Sequence, residues 1–245
     1  MSFEPSYGEA ESNHAIVEVD TARRPRRGLL KRLFFICTVF VLIFQARTAQ
    51  LAFIVLNTAS WGVGGPPADW QVKVNHGKPA IAVCAEQDSC LHLQSSKASF
   101  ALEHPVNVNL AELPYLTWHW KVTRLPERGD FRHADTDDQA AQVLVAFDDR
   151  RVLSYIWDTN APRGSEQKTN FIPLVHVFAF VCQSGAANAN QWMTESRNVA
   201  ADYQRAYGRP APRVKGVRLQ INSQHTGTVA ESYFGQVAFR NMPLE

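Results

Sequence analysis

From Trp70 to Phe239 the chain is a succession of short apolar or alternating runs separated by polar turns. They read WQVKV, IAVC, CLHLQ, SFALE, YLTWHWKV, AQVLVAF, RVLSYIW, IPLVHVFAFVC, VKGVRLQI, AESYF and GQVAF. About ten strands at this spacing, without regular helices between them, predict an all-β chain folded as an antiparallel β-sandwich. One helix interrupts the pattern. In QWMTESRNVAADYQRAYG, Trp192, Glu195/Ser196, Val199, Tyr203 and Ala206 recur at three- and four-residue steps, and Gly208 and Pro210 supply a stop. The 245 residues, 45% of them hydrophobic, suffice for one core plus an N-terminal extension.

The extension has its own logic. Residues 1–22 carry five acidic groups and no Lys or Arg, whereas residues 23–32, RRPRRGLLKR, carry six basic groups and no acid. The uncharged run LFFICTVFVLIF, residues 33–44, follows directly and has the length of a secretory signal core. The apolar character resumes at LAFIVL, but Arg47 between the two runs disfavours a single span from Leu33 to Leu56. The chain therefore divides into a polar-then-basic cytoplasmic segment (1–32), a signal or anchor segment (33–49), a lead-in segment (50–69) and a β-sandwich domain (70–245). A cleaved signal and an uncleaved inner-membrane anchor both put the domain outside the cytoplasm, in the periplasm, because the basic flank stays inside. Residues 50–245 hold 18 basic and 18 acidic groups, so the domain lacks the electrostatic footprint of a nucleic-acid binder.

Cysteine placement agrees with export. Cys84 and Cys90 flank the polar turn AEQDS and can sit opposite each other across a hairpin, where a disulfide would form. Cys182 ends an apolar run and reads as a small buried thiol.

Strand parity sorts the residues of YLTWHWKV. Leu116, Trp118, Trp120 and Val122 share one face, and Tyr115, Thr117, His119 and Lys121 share the other. If the tryptophans faced water as a sugar platform, Thr117, His119 and Lys121 would have to enter the core at a cost of several kcal/mol. The tryptophans are therefore expected inside. The polar face is then either solvated sheet or a ligand surface.

The segment RGDFRHADTDDQ gathers Asp130, Asp135, Asp137, Asp138 and His133. Closely spaced carboxylates can hold calcium or supply a general acid and base, although this run lacks the glycine and terminal glutamate of an EF-hand loop. Its structural alternative is a turn-forming loop leading into AQVLVAF. Arg197 with Asp202 is expected to tie the helix to the sheet. The histidines show no H-x-H or H-E-x-x-H spacing, and no G-x-S-x-G, P-loop or dinucleotide fingerprint is present.

YLTWHWKV, DTDDQAAQVLVAF, LSYIWDTNAPRGS, QWMTESRNVAADYQRAYG and VKGVRLQINSQHTG…ESYFGQVAF, in that order, resemble the bacterial family catalogued as domain of unknown function 3047. The resemblance spans roughly residues 92–240. It implies an export signal and a sandwich of jelly-roll, galactose-binding-like type, and it carries over no catalytic residue. The chain departs from the pattern at Asn222-Ser223-Gln224-His225-Thr226, where relatives tend to have D-T-D-N-T, and at Phe234-Gly235-Gln236-Val237, where they tend to have Y-G-D-I. A calcium role weakens accordingly, and no cofactor is expected.

Three functions follow as expectations. The first is a non-enzymatic extracytoplasmic module that binds an envelope glycan or protein partner through Thr117, His119, Lys121, Asp137 and Asp138. The second is a carbohydrate hydrolase using two carboxylates among Asp137, Asp138, Glu195 and Asp202, which must stand about 5–10 Å apart across a cleft. The third is a membrane-anchored accessory subunit of a larger complex.

Overall fold

A computed structural model describes residues 50–61, 69–169 and 175–244; the signal or anchor segment lies outside these. The described strands, numbered in chain order, are β1 (Ala52–Leu56), β2 (Gln71–His76), β3 (Ala80–Cys84), β4 (Cys90–Ser96), β5 (Ser99–Val108), β6 (Tyr115–Arg124), β7 (Ala141–Phe147), β8 (Arg151–Asp158), β9 (Glu166–Thr169), β10 (His176–Ser184), β11 (Met193–Asn198), β12 (Val214–Asn222) and β13 (Val229–Arg240). One sheet runs β11-β6-β13-β4-β3, with β1 also paired to β13; the other runs β2-β5-β12-β7-β8-β10-β9. The two sheets form a β-sandwich of jelly-roll type. All pairs are antiparallel except β8 and β10, which run parallel.

Period-two patterning puts one face of every central strand into the shared core. Val217, Leu219 and Ile221 of β12, Val143 and Val145 of β7, and Leu153, Tyr155 and Trp157 of β8 point inward from the larger sheet. Leu116, Trp118, Trp120 and Val122 of β6 meet them from the smaller one, all fully buried. Trp118 and Tyr155 have ring centroids 5.2 Å apart, and Trp120 and Trp157 5.8 Å, so the two tryptophans join the layers. They are core, as parity predicts.

Three boundaries differ from the sequence reading. The segment expected as a lead-in contributes β1, whose Val55 and Leu56 are buried against β13; Leu56 is thus strand and not the end of a span. AESYF and GQVAF form one strand, β13, interrupted by a bulge rather than a turn. The helix, α1 (Val199–Tyr207), is half the expected length because Met193–Asn198 pairs with β6 as β11. Asn198 ends the strand and starts the helix: its side chain accepts from Ala201 N at 3.0 Å. At the far end Gly208, at φ 71°, takes the left-handed position that closes helices.

Arg197 of β11 and Asp202 of α1 pair at 2.7 Å, tying the helix to the smaller sheet as expected, and Asp202 also accepts from Tyr155 OH of β8 at 2.9 Å, which joins it to the larger one. Cys84 and Cys90 are directly cross-strand, 5.0 Å apart at Cα, and form the disulfide. Cys182 is a buried free thiol.

The β6–β7 loop folds onto the outer side of the larger sheet. Phe131 packs there against Ile156, Ala161, Ala179 and Val181. Asp158 anchors it by accepting from the backbone N–H groups of Phe131 (2.9 Å), Asn160 (2.9 Å) and Ala161 (2.8 Å). Those bonds favour the carboxylate, but burial outweighs them and pushes Asp158 up to about 6.

Candidate functional site

The five residues singled out in the sequence fall into two groups. Thr117, His119 and Lys121 lie on the outer face of the smaller sheet. Asp137 and Asp138 lie in the β6–β7 loop beside the outer face of the larger one. No hydrogen bond or ring contact among the described residues joins the two groups.

The polar face of β6 is not open sheet. Thr117 is 2% exposed and Lys121 8%. Thr117 donates to Ala238 O at 3.2 Å and accepts from Arg240 Nε at 3.0 Å. Lys121 pairs with Glu86 and lies over the rings of Tyr233 (4.2 Å) and Trp192 (5.5 Å). His92 stacks on the same tyrosine at 4.3 Å and meets Glu231 at 2.7 Å. The expected accessible face is therefore corrected: the disulfide turn that carries Glu86, together with Trp192, covers Lys121, and Arg240 covers Thr117. Lys121 meets an opposite charge and two aromatic faces, which offset its desolvation. Only His119 of the three borders open space.

Asp138 is withdrawn too, fully buried, with Oδ2 accepting from Thr226 N at 2.6 Å and His225 Nδ1 3.6 Å from Oδ1. Asp137 is different. It lines an opening on the outer face of the larger sheet, accepts from Gln139 Nε2 at 2.9 Å, and is pushed up to about 6 by burial. Asn222 organises this corner. Its Oδ1 accepts from Gln139 N (3.0 Å) and Gln142 Nε2 (2.6 Å), and its Nδ2 donates to Asp137 O (2.6 Å).

Strand register explains the groove that opens from there. Pro105, Gly216, Ala146, Val152 and Val177 are in register across β5, β12, β7, β8 and β10, giving an apolar strip with small residues at its centre. The next row is Glu103, Arg218, Leu144, Ser154 and Ala179, and the one beyond holds Gln220 and Gln142. A cavity of about 430 Å³ lies over the apolar strip, and a second of about 90 Å³ lies over the amide row. Both are lined by Leu144, Val177 and Arg218, so they form one groove across the strands. Arg218 pairs with Glu103 and donates to Gln220 Oε1 at 3.3 Å. Parity in VKGVRLQIN exposes Arg218 and Gln220, but only register shows that they border an apolar strip.

The carboxylates proposed for hydrolysis do not gather here. Asp202 is held under α1 by Arg197 and Tyr155, and Glu195 accepts from Gln183 Nε2 at 2.6 Å. Of the four, Asp137 alone lines the groove. Among the described residues no group of three or more His, Cys, Asp or Glu side chains is placed to hold a metal ion.

Fold and groove together define a two-sheet β-sandwich with an open, mixed polar and apolar trough across one outer face. The chain belongs to the family described as protein of unknown function DUF3047, which it matches over residues 68–238. No curated protein matches it. Among solved structures it is similar to the xyloglucanase domain of a type three effector from Sinorhizobium fredii (8% identity, TM-score 0.46, covering 76% of this chain and all of that one). It is also similar to endoglucanase Cel12A from Rhodothermus marinus (11%, TM-score 0.44, 80% and 100%). A family 11 carbohydrate-binding module from Clostridium thermocellum gives 6%, TM-score 0.42, 78% and 95%. These overlaps are partial, and the fold stands on the two sheets and their register.

Proposed function

We propose that this protein is an extracytoplasmic glycan-binding module whose ligand lies in the groove on the outer face of the larger sheet. The observation that carries this reading is the in-register pairing of an apolar strip with a polar border. A pyranose chain has the matching character: C–H faces that lose water against Ala146, Val152 and Val177, and hydroxyl edges that hydrogen-bond to charged and amide side chains. Arg218, Glu103, Gln220 and Gln142 supply donors and acceptors along one side. The volume falls in the range of ligand pockets, roughly 300–1,000 Å³.

A location outside the cytoplasm is supported by the basic-then-apolar leader and by the Cys84–Cys90 disulfide, which forms and persists in oxidising compartments.

Calorimetric titration of the full chain with soluble neutral and acidic oligosaccharides tests the reading. Gln220→Ala and Arg218→Ala are each expected to weaken binding about tenfold, or ~1.4 kcal/mol. Binding that is unchanged in both variants would place the ligand elsewhere.

A further inference from the structure

The smaller sheet has a gap. The first half of β13 is flanked by β4, with Phe234 opposite Leu91, and its second half by β1, with Val237 opposite Leu56. Between these two neighbours Gly235 and Gln236 are in register with neither strand. On the other side, Phe234 faces Trp120 and Val237 faces Trp118, so Gly235 and Gln236 together oppose His119 alone. That is a β-bulge, a device that re-aims side chains and is common beside functional sites. Gly235 sits closely under its neighbours: a Cβ there would stand 3.2 Å from the His119 Cβ, a tight contact, and 3.6 Å from the Trp192 ring.

The gap is roofed rather than empty sheet edge. The segment after β1 and the disulfide-closed turn meet over it, where Thr58 Oγ1 donates to Ser89 O at 2.5 Å and Ser89 Oγ donates to Thr58 O at 2.6 Å. The resulting cavity, about 300 Å³, is lined by Asn57, Thr58, Gln87, Ser89, His119 and Gln236, with Ala59 and Gly235 completing it. None of these carries a fixed charge. Burial, with Arg240 adding to it, holds His119 below the ordinary imidazole value, which keeps the ring neutral. Its Nδ1 is 2.8 Å from Thr194 Oγ1, and the described residues give Nε2 no hydrogen-bond partner. Arg240 donates to Gln236 Oε1 at 2.9 Å, which leaves the NH₂ end of that amide to donate.

We propose that this pocket is a second binding site, separate from the groove, that takes one uncharged hydroxyl-rich unit such as a terminal neutral sugar. His119 Nε2, the Gln236 amide and Gln87 are its recognising groups. An uncharged, hydrogen-bonding lining favours a ligand of the same character: no charged side chain lines the pocket, and Arg240, the cation beside it, directs its guanidinium to Gln236 and Thr117.

Histidine-ring NMR on the full chain tests it, with glucose, galactose and N-acetylglucosamine as neutral probes and glucuronate as the charged one. The His119 ring signals are expected to move saturably with at least one neutral sugar, with Kd of about 1 mM. Glucuronate is expected to leave them in place. Gln236→Ala should weaken the response about tenfold, whereas Gln220→Ala in the groove should not change it. Silence of the His119 ring toward all three neutral sugars would overturn the site. An equal response to glucuronate, or one unaffected by Gln236→Ala, would do so as well. Because Gln220→Ala reads the groove alone, failure of one site is distinguishable from failure of the other.

Discussion

Asn222 takes part in three hydrogen bonds at once, accepting two through Oδ1 and donating one to a backbone carbonyl through Nδ2. An aspartate has no donor for the Asp137 carbonyl and would add a charge beside a carboxylate already held at about 6. Asn222→Asp is expected to cost about 2 kcal/mol in urea unfolding near neutral pH, within the range for leaving a buried polar group unmatched. The raised value of Asp137 has its own consequence. Its folded-state value of about 6 exceeds the unfolded 3.8, so between these the native state binds more protons and stability rises as pH falls. His119, whose value is lowered, acts in the opposite sense as pH falls through the imidazole range. Comparison with Asp137→Asn isolates the carboxyl: wild type should gain stability relative to the variant on going from about pH 7 to about pH 5, and parallel profiles would contradict the assignment. At this scale the sequence told which way Trp118 and Trp120 face, because parity is local. It could not tell that Thr117 and Lys121 are covered, because Arg240, Glu86 and Trp192 come from distant parts of the chain.

Elements show where local patterning misleads. The three- and four-residue spacing across residues 191–208 also fits a strand that changes to a helix, and Asn198 decides the boundary through its cap. AESYF and GQVAF look like two strands because Gly235 interrupts them; the glycine marks a bulge within one. The α1 contacts make the boundary testable. Asp202→Ala leaves Arg197 and Tyr155 OH without their partner, and a loss of about 3 kcal/mol in thermal or urea unfolding is expected. Gly208→Ala forces a left-handed residue to carry a Cβ and should cost about 1 kcal/mol. The disulfide was legible from two cysteines flanking a polar turn in a chain read as exported. Replacing Cys84 and Cys90 by serine should cost about 2 kcal/mol by freeing a short unfolded loop, and should loosen the Glu86–Lys121 contact that its turn presents.

Across the whole molecule, the fold class was readable because strand alternation and turn residues recur along the domain. The groove was not, since it arises from register between strands far apart in sequence: Glu103, Arg218, Leu144 and Ser154 lie on four strands. The proposed glycan site follows from that register, which sets an apolar strip beside Arg218, Gln220 and Gln142 along one groove. Amide chemical-shift mapping of the full chain with a soluble linear oligosaccharide tests this most directly. The largest changes are expected at Gln142, Arg218, Gln220 and Val177 on the outer face of the larger sheet. Changes confined to the other sheet, or none with any oligosaccharide, would contradict it.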